Sequence, residues 1–282
     1  MDEKTGPLSS LHSPKISNII LTKKMKVYGI QLQSEWGNKD GSFRKVDSLL
    51  KEYKIEKNSL LILPEMFATG FCLDPNKTLL SEPQKTENYL SNLSRDKECW
   101  VIAGMTQPSE QKGKAYNCAV TFTPDGKKVL CTHKIHTIPI LGEDKVHLKG
   151  STVENIEVGS SIINTFICYD LRFPEVFRTA IRKNASTFVV IACWPASRIK
   201  HWLTLLQARA IENQSYVIGV NAVGKDPNLA CGGRSLIVDP NGNIIADGGE
   251  DETIIEGEID REIIESCRKK FPVLNDIRND IL

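Results

Sequence analysis

Thr165-Phe166-Ile167-Cys168-Tyr169-Asp170-Leu171-Arg172-Phe173-Pro174-Glu175 is an apolar run that stops at one cysteine and turns at once into a helix start. Residues 162–167 have the length and character of a strand buried on both faces. Pro174 suits the first position of a helix, where a missing N–H is no loss. A strand feeding directly into a helix is the unit of an α/β fold, and it presents the junction residue at the end of a sheet. The helix N-terminus adds partial positive charge, which favours a thiolate. Cys168 is therefore a candidate nucleophile, set against the commoner role of a cysteine as a small buried apolar residue.

The same alternation extends in both directions. Strands are expected over 27–32, 60–63 and 100–104, with Phe43, Val46, Leu49, Leu50 and Tyr53 at helical spacing between the first two and a polar helical segment through Glu87 and Leu93 before the third. Pro124-Asp125-Gly126 joins 117–122 to 128–132 as a hairpin. Beyond Cys168, a strand over 188–193, a helix over 200–214 and a strand over 216–220 repeat the α/β pattern. A second hairpin follows around Asp239-Pro240-Asn241-Gly242, and a last strand is expected over 254–259. No Gly/Ser-rich linker interrupts this series, so residues 25–282 are expected to form one domain. Residues 1–24, with Gly6-Pro7-Leu8-Ser9-Ser10, read as a flexible extension; Asp2, Glu3 and the lack of arginine there argue against a transit peptide.

Charge narrows the partners. The 282 residues hold 36 Lys plus Arg against 35 Asp plus Glu, so no net field favours nucleic acid or an anionic membrane. No apolar run reaches the roughly 18 to 20 residues of a bilayer span. A small molecule is the expected partner. The eight cysteines, at 72, 99, 118, 131, 168, 193, 231 and 267, include no CxxC pair and accompany no secretory signal, which points to reduced thiols in a cytoplasm.

Thiol chemistry on an amide or nitrile needs a base, a cation for the developing oxyanion and an acid for the leaving nitrogen. Glu65, in Leu61-Ile62-Leu63-Pro64-Glu65-Met66-Phe67, follows an apolar strand directly and belongs at the mouth of a sheet. Lys134 follows the second strand of the first hairpin, between His133 and His136. Those two histidines lack a third clustered ligand, so a metal site is not expected. Taken together, Leu63-Pro64-Glu65, His133-Lys134-Ile135-His136 and Ile167-Cys168-Tyr169-Asp170-Leu171-Arg172-Phe173-Pro174-Glu175, in that order, resemble the nitrilase or carbon-nitrogen hydrolase superfamily, from about Lys26 onward.

The resemblance implies a mixed-sheet α/β fold, a four-layer αββα sandwich, assembled at least as a dimer. It implies Glu65 as base, Cys168 as nucleophile forming a thioester, Lys134 with the Tyr169 backbone N–H as oxyanion partners, and Glu143, in Leu141-Gly142-Glu143-Asp144, as a second glutamate. No cofactor is required. The segment from Trp194-Pro195-Ala196-Ser197-Arg198 to Asn213-Gln214 is similar to the omega-amidase branch, and Leu63-Pro64-Glu65-Met66-Phe67, Gly70-Phe71 and Lys270-Phe271-Pro272 to its YafV-type members. Such enzymes release ammonia from 2-oxoglutaramate or 2-oxosuccinamate, whose remote carboxylate needs a cation. Arg198 is the candidate, with Trp194 and Phe71 as pocket walls. Arg172 competes with Arg198 for that role, but its place near Asp170 and Glu175 favours a structural ion pair, and Arg209 is expected in one with Glu212. An N-carbamoyl amine, deaminated glutathione or a nitrile is the alternative substrate, and a non-catalytic binding protein or a papain-like protease based on His201 the alternative class.

Overall fold

The computed structural model describes residues 24–74, 78, 84–278 and 280. The expected extension over 1–24 lies outside them, apart from Lys24, which opens the first strand. Among the described residues fifteen strands run in chain order: β1 (Lys24–Gln31), β2 (Leu60–Ile62), β3 (Trp100–Pro108), β4 (Ala115–Phe122), β5 (Lys128–His133), β6 (His147–Leu148), β7 (Asn155–Val158), β8 (Ser161–Ile167), β9 (Thr187–Ala192), β10 (Tyr216–Asn221), β11 (Val223–Lys225), β12 (Ala230–Gly232), β13 (Leu236–Val238), β14 (Ile244–Asp247) and β15 (Thr253–Asp260). The α-helices described are α1 (Lys39–Lys51), α2 (Lys85–Lys97), α3 (Pro174–Arg182), α4 (Ile199–Asn213) and α5 (Arg261–Lys270).

Two large sheets form, ordered β15-β1-β2-β3-β4-β5, with β6 beside β4, and β14-β13-β10-β9-β8-β7. Each has a parallel centre, β1-β2-β3 in one and β8-β9-β10 in the other. Antiparallel strands flank both centres. The period-two alternation of side chains in a strand divides the first sheet between two layers. Val27, Leu60, Ile62 and Ile102 join the core shared with the second sheet. Tyr28, Ile30, Leu61, Leu63 and Val101 face the core that holds Phe43, Val46 and Leu50 of α1 and Leu90 and Leu93 of α2. On the far side of the second sheet, Phe177 of α3 packs on Phe166 and Phe188, and Trp202 and Leu206 of α4 close the same core. The result is the expected αββα sandwich. At Gly29 the two sheets approach so closely that a Cβ would lie 2.8 Å from Val220 Cγ2.

Both expected hairpins are present, as β4-β5 and β13-β14. The helix expected over 200–214 is α4, one residue earlier at each end. Sequence reading did not anticipate α5, which Asp260 caps by accepting from the Glu262 N–H. No helix among the described residues is long and apolar enough to cross a membrane.

Candidate active site

Parallel centres place the C-terminal ends of β2 and β8 on one side of the sandwich, and the antiparallel β5 ends beside them. Glu65, Lys134 and Cys168 each follow one of these strands within three residues, and their side chains meet.

Glu65 rides on the turn after β2, held against β3 by Gly104 N–H donating to Pro64 O (3.1 Å) and Phe67 N–H to Gly104 O (3.2 Å). A Cβ at Gly104 would stand 2.4 Å from Glu65 Cα, so only glycine admits this approach. Lys134 is tied by its N–H to Asn117 O (2.8 Å), while its carbonyl accepts from Gly150 N–H (2.7 Å). Its fully buried ammonium donates to Glu65 Oε1 (2.9 Å) and to both Glu143 oxygens (3.0 and 2.9 Å). Burial alone would lower the Lys134 pKa, but the two carboxylates prevail and hold it well above its ordinary value.

Asn117 completes this cluster, its Nδ2 donating to Glu65 Oε1 (2.6 Å) and Glu143 Oε1 (3.0 Å). Glu65 Oε2 accepts from the Cys193 N–H (2.8 Å). Glu143 also accepts from the Ile138 N–H (2.8 Å) and lies 3.4 Å from His147 Nδ1. Burial pushes the Glu143 carboxyl up, yet Lys134, His147 and Asn117 together bring it down to about 2. It is ionised at any ordinary pH.

Cys168 follows β8 with φ 49°, a left-handed conformation that costs an L-residue about 1–2 kcal/mol. Strain of this kind at a cavity-lining cysteine fits a functional turn. The helix-dipole expectation for the thiol is corrected here. The segment after Cys168 is a five-residue 3-10 stretch, Cys168–Arg172, and α3 starts only at Pro174. Burial first, then the Glu65 carboxylate beside it, push the thiol well above its ordinary pKa, and Lys134 only partly offsets them.

Asp170 locks this turn to the lysine loop. Its buried carboxylate accepts from the Ile167, Ile135 and His136 N–H groups (3.2, 3.3 and 2.8 Å) and contacts His136 Nδ1 at 2.8 Å. Arg172 consequently forms no ion pair with Asp170 or, among the described residues, with any other carboxylate, contrary to expectation. Its guanidinium instead lies 4.6 Å over the Trp194 ring and 5.9 Å from that of Tyr169. Arg209 does pair with Glu212, at 3.0 Å.

Cys168 opens on a cavity of about 530 Å³ whose walls include Phe71, Tyr169, Arg172, Trp194, Arg198 and His201. The Phe71 ring lies 5.6 Å from Lys134 Nζ. Trp194 is anchored through its indole N–H to Arg198 O (2.8 Å). His201 lies 3.4 Å from Arg172 Nη1, while the carboxylate adjoining the thiol is that of Glu65. His133 and His136 are each stacked, on Tyr116 and Phe173 respectively. Among the described residues no group of three or more His, Cys, Asp or Glu side chains is placed to hold a metal. Sequence reading missed Asn117, Asp170 and the Cys193 N–H; a lone asparagine within the strand read over 117–122 was the available hint of the first.

A buried carboxylate-lysine-carboxylate cluster against a cavity thiol can abstract a proton, hold an oxyanion and pass through a covalent acyl stage. The chain is 37% identical over 237 residues to the 2-oxoglutaramate amidase of Paenarthrobacter nicotinovorans, covering 80% of this chain and 81% of that one. It is 33% identical over 254 residues to the omega-amidase YafV of Yersinia enterocolitica, covering 89% and 96%. The crystal structure of Saccharomyces cerevisiae Nit3, a member of branch 10 of the nitrilase superfamily, superposes with a TM-score of 0.80 at 29% identity, over 90% of this chain and 96% of that one. Residues 27–269 match the carbon-nitrogen hydrolase model, and the chain belongs to that family.

Proposed function

We propose that this carbon-nitrogen hydrolase is an omega-amidase, which hydrolyses the terminal amide of a small omega-amide acid such as 2-oxoglutaramate or 2-oxosuccinamate to the dicarboxylate and ammonia. The observation that carries this reading is one cavity lined by the Cys168 thiol and by Arg172 and Arg198, which form no ion pair among the described residues, with the buried Glu65–Lys134 pair next to the thiol. The relatives' names support the same substrates.

In the proposed cycle Glu65 takes the Cys168 proton as sulfur attacks the amide carbon. Transfer inside the pair leaves the buried net charge unchanged, so the raised thiol pKa does not have to be overcome in full. The amide oxygen becomes an oxyanion that exchanges for one of the two Glu143 contacts of Lys134 and accepts from the Tyr169 backbone N–H. The C–N bond breaks as Glu65 returns the proton to nitrogen, and ammonia leaves a thioester. Glu65 then takes a proton from water as hydroxide adds to the thioester, and the C–S bond breaks as Glu65 returns that proton to sulfur, which restores the thiol and the carboxylate. Glu143, ionised throughout, holds Lys134 rather than moving protons. Arg198 receives the remote carboxylate, with Trp194 and Phe71 walling the acyl chain. The same reading takes 25–282 as one domain that works in the cytoplasm as a homodimer or larger homo-oligomer.

Ammonia release from 2-oxoglutaramate is the test. Cys168→Ala should abolish it. Arg198→Ala should cost roughly 10- to 100-fold in kcat/KM, the worth of a hydrogen bond to a charged group, and should leave an uncharged amide such as butyramide nearly unaffected. Turnover that survives Cys168→Ala, or equal loss on both amides, refutes the assignment.

A further inference from the structure

Building on the omega-amidase reading, we propose that Arg172 is a specificity-determining residue that, with Arg198, selects the substituent at carbon 2: a 2-oxo group is accepted and a 2-ammonium group is rejected.

Arg172 carries five N–H donors. Among the described residues its only hydrogen-bond contact is with His201 Nδ1. A guanidinium cannot accept, so that ring nitrogen must be the acceptor, and His201 holds the arginine without neutralising it. The Trp194 ring packs against it at 4.6 Å. The Arg198 guanidinium forms no ion pair among the described residues, and Arg198 carries the Trp194 anchor on its own carbonyl. Burial and then the nearby Arg198 charge hold the Arg172 pKa below its ordinary value, with Tyr169 and Cys168 opposing. Among the described residues, two cations therefore face one cavity without a counter-ion. The described residues of its wall include no Asp or Glu, and the buried Glu65 and Glu143 are already engaged by Lys134.

This arrangement reads the chemistry of carbon 2. A 2-oxo acid presents a carboxylate and an adjacent carbonyl oxygen, acceptors that can share the donors of two guanidiniums. Glutamine or asparagine replaces the carbonyl oxygen with an ammonium, which has donors only. It would lie beside two like charges and find no carboxylate, a repulsive element of the kind that creates specificity. An omega-amide acid with nothing at carbon 2, such as glutaramate, keeps the carboxylate contact and lacks the second one.

The experiment measures kcat/KM by ammonia release on 2-oxoglutaramate, glutaramate and glutamine, for the parent, Arg172→Met and Arg172→Lys. The parent should prefer 2-oxoglutaramate over glutaramate by about 10-fold or more and over glutamine by roughly 10³-fold or more. Arg172→Met should remove the preference for 2-oxoglutaramate over glutaramate and narrow the gap to glutamine. Arg172→Lys should keep glutamine excluded while losing most of the oxo preference, because the charge remains and the planar fork does not. These are ratios within one preparation, so partial misfolding of a variant cancels. Equal loss on 2-oxoglutaramate and glutaramate in Arg172→Met overturns the proposal, as does a parent that turns over glutamine as well as 2-oxoglutaramate. If the parent hydrolyses neither omega-amide acid, the omega-amidase reading itself fails.

Discussion

Glu143→Gln tests the buried charge cluster through its thermodynamics, independently of any substrate. The carboxylate sits at zero exposure between the Lys134 ammonium, Asn117 and the Ile138 N–H. Its carboxyl falls from 4.5 to about 2 on folding, which corresponds to about 3 kcal/mol in favour of the ionised folded form. Glutamine keeps the shape, removes the charge and turns one acceptor into a donor facing other donors. The expected destabilisation at pH 7 is therefore about 3 kcal/mol, at the lower edge of the range for breaking a buried pair. The sign follows from linkage. A carboxyl with a depressed folded pKa stabilises fully above its unfolded value near 4.5, and that contribution disappears as pH falls towards 2. Urea unfolding of the parent and Glu143→Gln, at pH 7 and pH 3 and at one protein concentration, should show the gap shrinking to about half or less at pH 3. A gap equal at both pH values, or below about 1 kcal/mol at pH 7, where even a single neutral hydrogen bond would give as much, refutes the idea that Lys134 binds Glu143 as a charge.

Gly104→Ala should place a Cβ 2.4 Å from Glu65 Cα and displace the base; ammonia release should fall by roughly 10²-fold while circular dichroism stays nearly constant, and a parent-like kcat would contradict the role of Gly104. Asp170→Asn removes the charge and one acceptor from a buried carboxylate with four nitrogen contacts, so the protein should lose about 1–3 kcal/mol, read as a Tm lower by roughly 3–10 °C; an unchanged Tm would show that this link between the cysteine and lysine loops is dispensable. Because burial and Glu65 raise the Cys168 thiol, its alkylation by iodoacetamide, followed peptide by peptide, should keep rising through pH 9 in the free enzyme, whereas a plateau near pH 7 would mean that Lys134 dominates.

The sign of that thiol shift shows what a linear chain can and cannot disclose. Residues 60–63 reveal their layers because a strand's period alone sends Leu60 and Ile62 to one core and Leu61 and Leu63 to the other. Glu65 and Cys168 are legible because each ends an apolar run at a strand end, whereas Lys134, flanked by two histidines, is legible only through the motif order that resembles the nitrilase superfamily. Charge balance is different, since it depends on partners that only the folded sheets bring together. Asn117 reaches Glu65 across 52 positions and His136 reaches Asp170 across 34. Neighbours in sequence misled twice for this reason. Sequence proximity pairs Arg172 with Asp170 or Glu175, although the lysine loop already occupies the Asp170 carboxylate, and it sets Cys168 at a helix terminus, although burial first and then the Glu65 carboxylate decide the thiol's proton. The helix argument predicts a thiolate at rest; the folded cluster instead keeps the proton on sulfur and sets Glu65 beside it. A resting neutral thiol limits alkylation and oxidation without substrate, and in the proposed cycle it becomes nucleophilic only as an oxyanion forms against Lys134. On this reasoning the lysine supports the chemistry through the charge that appears during the reaction, and the two glutamates ensure that it remains an ammonium until then.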